Sequence, residues 1–163
     1  MLTADELYEI MIHLNGHDLQ ALCSTSTLYN GLCQNADFWK NKLYSDDLPI
    51  FNNPSSLNDY LKIKQAHDIQ LTYESKSYAT FTFTDEDLSI ILPKHNYDQI
   101  KIFDYDQVEL YLYFYKNGNI PFTINYKATK GTKRVELKVM KLSREEIMNV
   151  IFKIAYYYPH IIK

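Results

Sequence analysis

The spacing of apolar residues changes twice along this 163-residue chain, and those changes restrict the elements it can build. Before His67 the apolar side chains recur three and four positions apart, as on one face of a helix. From Ile69 they alternate with polar ones, which is the two-residue period of strands, and after Ser143 the helical spacing returns. This order predicts an α+β fold: an amino-terminal helical module, then a mostly antiparallel sheet of about five or six strands covered by a carboxy-terminal helix.

Local signals place the helices. Thr3 followed by Glu6 is the S/T-x-x-E box that satisfies unpaired amides at a helix start, and Leu7, Ile10, Met11 and Leu14 supply the apolar face. Asp18 is expected to cap a second helix carrying Leu19, Leu22 and Cys23, and a third carries Leu28, Tyr29, Leu32 and Cys33, with Phe38 and Trp39 following. Helices this short are marginal alone and must pack on one another or on a partner. Ser45 to Ser56 gathers Asp, Asn, Pro and Ser as a connecting loop does, after which Ser55 or Ser56 caps a helix with Leu57, Tyr60, Leu61 and Lys64 that runs to about His67.

The strands are expected at Ile69–Tyr73, at Tyr78–Thr84 with Ala79, Phe81 and Phe83 on one face, at Leu88–Pro93, at Gln99–Phe103 and in a hairpin turning at Asn117-Gly118. A last strand follows at Arg134–Met140, and Ser143 with Glu146 opens a helix whose inner face is Ile147, Val150, Ile151 and Ile154 and which ends near Pro159. The domain division is therefore 1–48 for the helical module, 49–67 for the linker and connecting helix, and 68–163 for the α+β part.

A composition of 46% hydrophobic residues supports a real core. Asp5, Glu6 and Glu9 stand where a secretory signal has basic residues, and no uncharged apolar stretch approaches membrane-spanning length. The expectation is an intracellular protein of cytoplasm or nucleus with no membrane partner. Two cysteines are too few for a disulfide framework, so Cys23 and Cys33 are read as small buried hydrophobes lining helices. Through Pro49 two lysines face seven acids, a charge of −5 that leaves +2 to the remainder of a chain whose net charge is −3. A globally basic nucleic-acid surface is not indicated.

Leu2, Leu7, Ile10, Leu14, the Asp18-Leu19 pair, Leu22, Ser24 and Tyr29, with Trp39 closing the series, fall at the spacing of an F-box, which residues 2–44 resemble throughout. The "CSTSTLYNGLC" and "FWKNKLYSDDLP" stretches look like the divergent F-box-like proteins of large nucleocytoplasmic DNA viruses with AT-rich genomes. Thr3 stands where an F-box usually has Pro, and as a good helix cap it keeps the helix start. The resemblance implies a three-helix module that docks on a Skp-type adaptor protein and so joins a cullin-RING ubiquitin ligase. Leu2, Leu7, Ile10, Leu14, Leu19, Leu22 and Trp39 would make or shape that contact, while the rest of the chain selects an unknown substrate protein.

Two features of the second part are candidates for substrate binding. Tyr111, Tyr113 and Tyr115 share one strand face and offer rigid aromatic contact area, although the same pattern suits a packed sheet face with its hydroxyls at the rim. Lys130, Lys133 and Arg134 surround a glycine turn and suit an acidic partner or a phosphate backbone, although charges on an edge also simply prevent aggregation. There is no phosphate-cradling glycine loop, G-x-S-x-G, H-E-x-x-H or paired C-x-x-C in the chain. His13, His17, Cys23 and Cys33 lack the intervals of zinc sites. The reading is a binding protein and not an enzyme, with no cofactor or metal: an F-box-like ligase adaptor of viral type acting on a host protein. The alternative is a non-catalytic viral structural or nucleic-acid-associated protein that uses the same fold without ligase engagement.

Overall fold

The structure, a computed structural model, describes residues 3–25, 27–76, 78–100, 107–113, 123–131 and 133–162, with backbone alone for residues 28, 78, 85, 100, 113, 123–129 and 133–141. It combines helices with an antiparallel sheet and divides into two compact units, Met1–His67 and Asp68–Lys163. No helix among the described residues is long and apolar enough to cross a membrane.

The first unit is helical. It holds α1 (Ala4–Ile12), α2 (Gly16–Thr25), α3 (Thr27–Cys33), α4 (Ala36–Ser45) and the first turns of α5 (Leu57–Glu74). Four short helices therefore precede the linker where three are expected, because Asn35 accepts the Asp37 amide at 2.9 Å and starts a separate helix for Phe38, Trp39 and Leu43. At α1 the capping box forms as expected, with the Thr3 amide donating to Glu6 at 2.7 Å and the Glu6 amide donating to Thr3 at 3.2 Å. At α2 the cap is Asn15, whose side chain accepts the Asp18 amide at 2.9 Å, so Asp18 lies inside the first turn instead of capping it. The core gathers Leu7, Met11, Leu19, Phe38, Leu43, Tyr60 and Ile63 with Trp39. Gly16 is buried, and a Cβ there would lie 2.8 Å from the end of Leu61, so α2 begins close against α5.

The second unit holds the end of α5, then β1 (Tyr78–Phe83), α6 (Asp85–Ile91), α7 (Lys94–Ile100), β2 (Gln107–Tyr113), β3 (Thr123–Lys130), β4 (Lys133–Lys141) and α8 (Arg144–Tyr157), with a closing 3₁₀ turn Pro159–Ile161. The strands form one four-stranded meander in the order β1-β2-β3-β4, antiparallel throughout. Gly131, at φ +59°, adopts the left-handed conformation of the β3–β4 turn, which glycine accepts without strain. Ala79, Phe81 and Phe83 of β1 and Val108, Leu110 and Leu112 of β2 share one core with Leu88 and Ile91 of α6 and with Ile147, Val150, Ile151 and Ile154 of α8. The Ser143–Glu146 box that starts α8 is present in both directions.

Two expected strands are helices. Ile69, Leu71 and Tyr73 belong to α5: Tyr73 is buried and Ile69 packs on the core, while Leu71 is 48% exposed. Leu88–Pro93 ends α6, where Leu88, Ile91 and Leu92 are buried and Ile90 is 43% exposed. Of the Gln99–Phe103 candidate, Gln99 and Ile100 end α7, and the rest lies outside the described residues, as does the Asn117-Gly118 turn. The sheet accordingly has four strands among the described residues, where about five or six are expected.

A small polar cluster ties the end of the chain to α6. The Thr84 hydroxyl donates to Asp87 at 3.0 Å, and the Tyr158 hydroxyl also donates to that carboxylate. Burial opposes ionisation of Asp87, but these hydrogen bonds and nearby His160 outweigh it and hold the carboxyl below its usual value. Burial first, then the bond to Asp87 and its charge, pushes the Tyr158 phenol up to about 12 from the ordinary 10.0. A phenol whose folded pKa is raised stabilises the fold fully below the unfolded value and loses that contribution as pH rises through the folded one. The second unit is therefore expected to lose stability between about pH 10 and 12. Tyr158→Phe should flatten part of that fall in thermal melts, with Tyr73 and Tyr157, both raised by burial, supplying the remainder. An alkaline profile unchanged by the substitution would contradict this assignment.

Candidate protein-interaction surfaces

In the first unit the core-facing stripe of α1 is Leu7, Met11 and Ile12, all buried. Ile10, expected on the same stripe, instead lies at its margin and is 43% exposed, and Leu14, just past the helix, is half-buried. On α2, Leu19 is buried and Leu22 half-buried. Trp39 is fully buried, with Phe38 edge-on at 4.9 Å and Tyr60 tilted at 5.7 Å between ring centroids, and its indole N–H donates to the Cys33 carbonyl at 2.8 Å. Of the seven residues expected at an adaptor contact, Ile10, Leu14 and Leu22 are accessible. Leu7, Leu19 and Trp39 are core residues that shape the unit from within, and Leu2 lies outside the described residues. Tyr44 and Ile50 add exposed apolar area to this unit.

Two features of this unit are missed by sequence reasoning. Cys23 and Cys33 are joined as a disulfide, with Cα atoms 5.9 Å apart, which corrects their reading as free helix-lining thiols. The pairing of α2 with α3 brings together two side chains ten positions apart in sequence. Closing that loop should contribute about 3 kcal/mol through the restricted unfolded chain. Reduction, or the Cys23→Ser/Cys33→Ser double variant, is expected to lower the denaturation midpoint followed by Trp39 fluorescence, and an unmoved midpoint would show the bond to be energetically idle. The second feature is Lys42, 1% exposed, whose ammonium donates to the Ile12 carbonyl at 2.7 Å and pairs with Asp46 at 3.0 Å. Asp46 also accepts from the Tyr60 hydroxyl. Lys42 so satisfies a carbonyl at the end of α1 and links α1 to α4. The Lys42 to Asp46 spacing of four is visible in the sequence, but nothing local says that the pair turns inward.

In the second unit β2 places Leu110 and Leu112 in the core and Tyr111 on the opposite, half-buried side. The Tyr111 hydroxyl donates to Glu109, two residues back on the same face. In register, Tyr111 lies opposite Thr80 and Asn125, and Glu109 opposite Thr82 and Lys127. Tyr113 is described by backbone only, opposite Tyr78 and Thr123, and Tyr115 lies outside the described residues. Lys130 is exposed at the β3–β4 turn and is paired in register with Lys133, next to the Thr129 and Arg134 pair. Tyr111 and the basic turn thus occupy the same sheet, the first on β2 between β1 and β3 and the second at one end of the β3–β4 ladder. Comparison of the chain with protein-family models, with curated proteins and with solved structures finds no match.

Proposed function

We propose that the chain is a non-catalytic, substrate-recruiting adaptor of the F-box type. Its first unit docks on a Skp-type adaptor of a cullin-RING ubiquitin ligase, and its second unit holds a substrate protein. The ligase supplies the chemistry. The observation that carries this reading is Ile10, a large aliphatic side chain 43% exposed at a position where the F-box pattern of residues 2–44 calls for partner contact, with Leu14 and Leu22 also accessible. Covering such side chains is what a partner surface offers a small helical unit.

The test is a titration of the full chain with a purified Skp-type adaptor, read by calorimetry. Micromolar or tighter binding is expected, and Ile10→Asp should weaken it at least about tenfold, because a charge enters an apolar contact without a partner. The melting temperature of that variant should be nearly unchanged, since Ile10 is not in the core. Leu7→Asp and Leu19→Asp are unsuitable probes: both side chains are buried, and either change is expected to unfold the unit. A folded chain that fails to bind, or that binds equally well with Ile10→Asp, would remove the ligase reading.

A further inference from the structure

The two edges of the sheet are defended unequally. β4 carries Lys133, Arg134, Glu136, Lys138 and Lys141, and its ladder with β3 is broken by a register shift between Ile124 and Tyr126. Charges and irregular pairing are the usual means by which a sheet edge is kept from pairing with another chain. β1, at the other edge of the sheet among the described residues, reads Tyr-Ala-Thr-Phe-Thr-Phe, with no charge, no proline and an unbroken register against β2. Such a strand is a template for pairing.

An open cleft of about 530 Å³ runs beside this strand, lined by its residues from Ala79 to Thr82 together with Tyr73, Lys76 and Ile161. Lys76 is the charged residue of that lining, exposed, with its ammonium 4.3 Å from the centroid of the Tyr73 ring. Contact with the ring face keeps the cation at the cleft. The space therefore combines a strand edge, an apolar wall of Tyr73 and Ile161, and one positive charge.

We propose that β1 and this cleft take an extended, acidic peptide segment of a partner protein, which pairs with the strand as a fifth strand of the sheet and sets a carboxylate against Lys76. Main-chain pairing supplies affinity that depends little on sequence. The apolar wall accepts one row of the peptide's alternating side chains, and Lys76 selects the sign of charge. The inference deepens the adaptor reading by naming the element that holds the substrate, and rests on it only for the source of the peptide.

The experiment is selection of phage-displayed random octapeptides on the full chain with no Skp-type adaptor present, so that its failure leaves the docking of the first unit untouched. Enriched peptides are expected to alternate β-branched or apolar residues with polar ones and to carry Asp or Glu. Synthetic versions should lose about tenfold in affinity with Lys76→Glu, the scale of one charge-assisted contact, and keep it with Lys76→Arg. N-methylation of their alternate amides should abolish binding in one parity and be tolerated in the other, because only one set of amides faces β1. Hydrogen exchange should slow within Tyr78–Phe83 when peptide is added. Absence of enrichment overturns the proposal, as do peptides indifferent both to Lys76→Glu and to N-methylation, or protection confined elsewhere. A stable dimer that excludes peptide would overturn it in favour of a second copy paired edge to edge.

Discussion

Replacing Trp39 with alanine is expected to lower the unfolding free energy of the first unit by about 4–5 kcal/mol, enough to abolish its folding. Two losses combine. The ring is fully buried against Phe38 and Tyr60, and a cavity of that size is among the most costly a small core can hold. The Cys33 carbonyl also loses the indole N–H that it accepts at 2.8 Å, and an unpaired buried acceptor is destabilising by itself. Trp39→Phe separates the two terms by keeping an aromatic body while removing the donor, and should cost less than half as much. Trp39 is the chain's one tryptophan, so the variants must be followed by far-ultraviolet circular dichroism in urea and not by fluorescence. A loss under about 2 kcal/mol for the alanine variant would mean that the ring does not close this core.

The second large effect belongs to Lys42. Lys42→Ala should destabilise the same unit by about 3 kcal/mol, the low end for a broken buried pair, because the Asp46 side chain is 29% exposed and can recover some hydration. The substitution also orphans the Ile12 carbonyl, which accepts from the ammonium at 2.7 Å. Lys42→Met keeps the stem that packs inside the unit and should retain part of the loss. Adding Asp46→Asn to Lys42→Met removes the remaining charge, keeps an oxygen that can accept from the Tyr60 hydroxyl, and should restore stability relative to Lys42→Met alone, since removing both charges of a pair is far less damaging than removing one. Chemical denaturation of these three variants and of the Asp46→Asn single variant measures these differences. Additive losses in the double variant would show that the two groups do not act as a pair.

What could be read from the sequence was what is decided within a few residues. The Thr3–Glu6 and Ser143–Glu146 boxes are local bargains between a side chain and the next turn of backbone, and both form at the positions expected. The hairpin partners β2 and β3 and the inner face of α8 follow from simple periodicity. The misread segments are short apolar runs in which two periods coincide. Ile69 and Tyr73 are four apart, which suits a helix face as well as alternate strand positions, and the exposure of Leu71 between them shows which geometry won. Leu88, Ile91 and Leu92 are likewise a helical triplet hidden by Ile90, and the signal passed over was Thr84 with Asp87 at the helix start.

The candidate site was less legible, because exposure is a tertiary property. The spacing of Leu7 and Ile10 gives them equal standing on one stripe, yet the packing of α1 on α4 buries the first and leaves the second at the margin. Trp39 reads equally as anchor or core until its neighbours are known. The Cys23–Cys33 bond and the inward turn of Lys42 depend on which helices meet, and neither has a local signature.

Lys42 has one more consequence. Among the described lysines, Lys42 is the buried one, its nucleophilic nitrogen sealed between a carbonyl and a carboxylate, out of reach of acylating reagents and of an activated ubiquitin alike. Its labelling must wait for the first unit to open, so the rate at which Lys42 is acylated serves as a clock for that opening, carried in the native sequence and readable by mass spectrometry without any substitution.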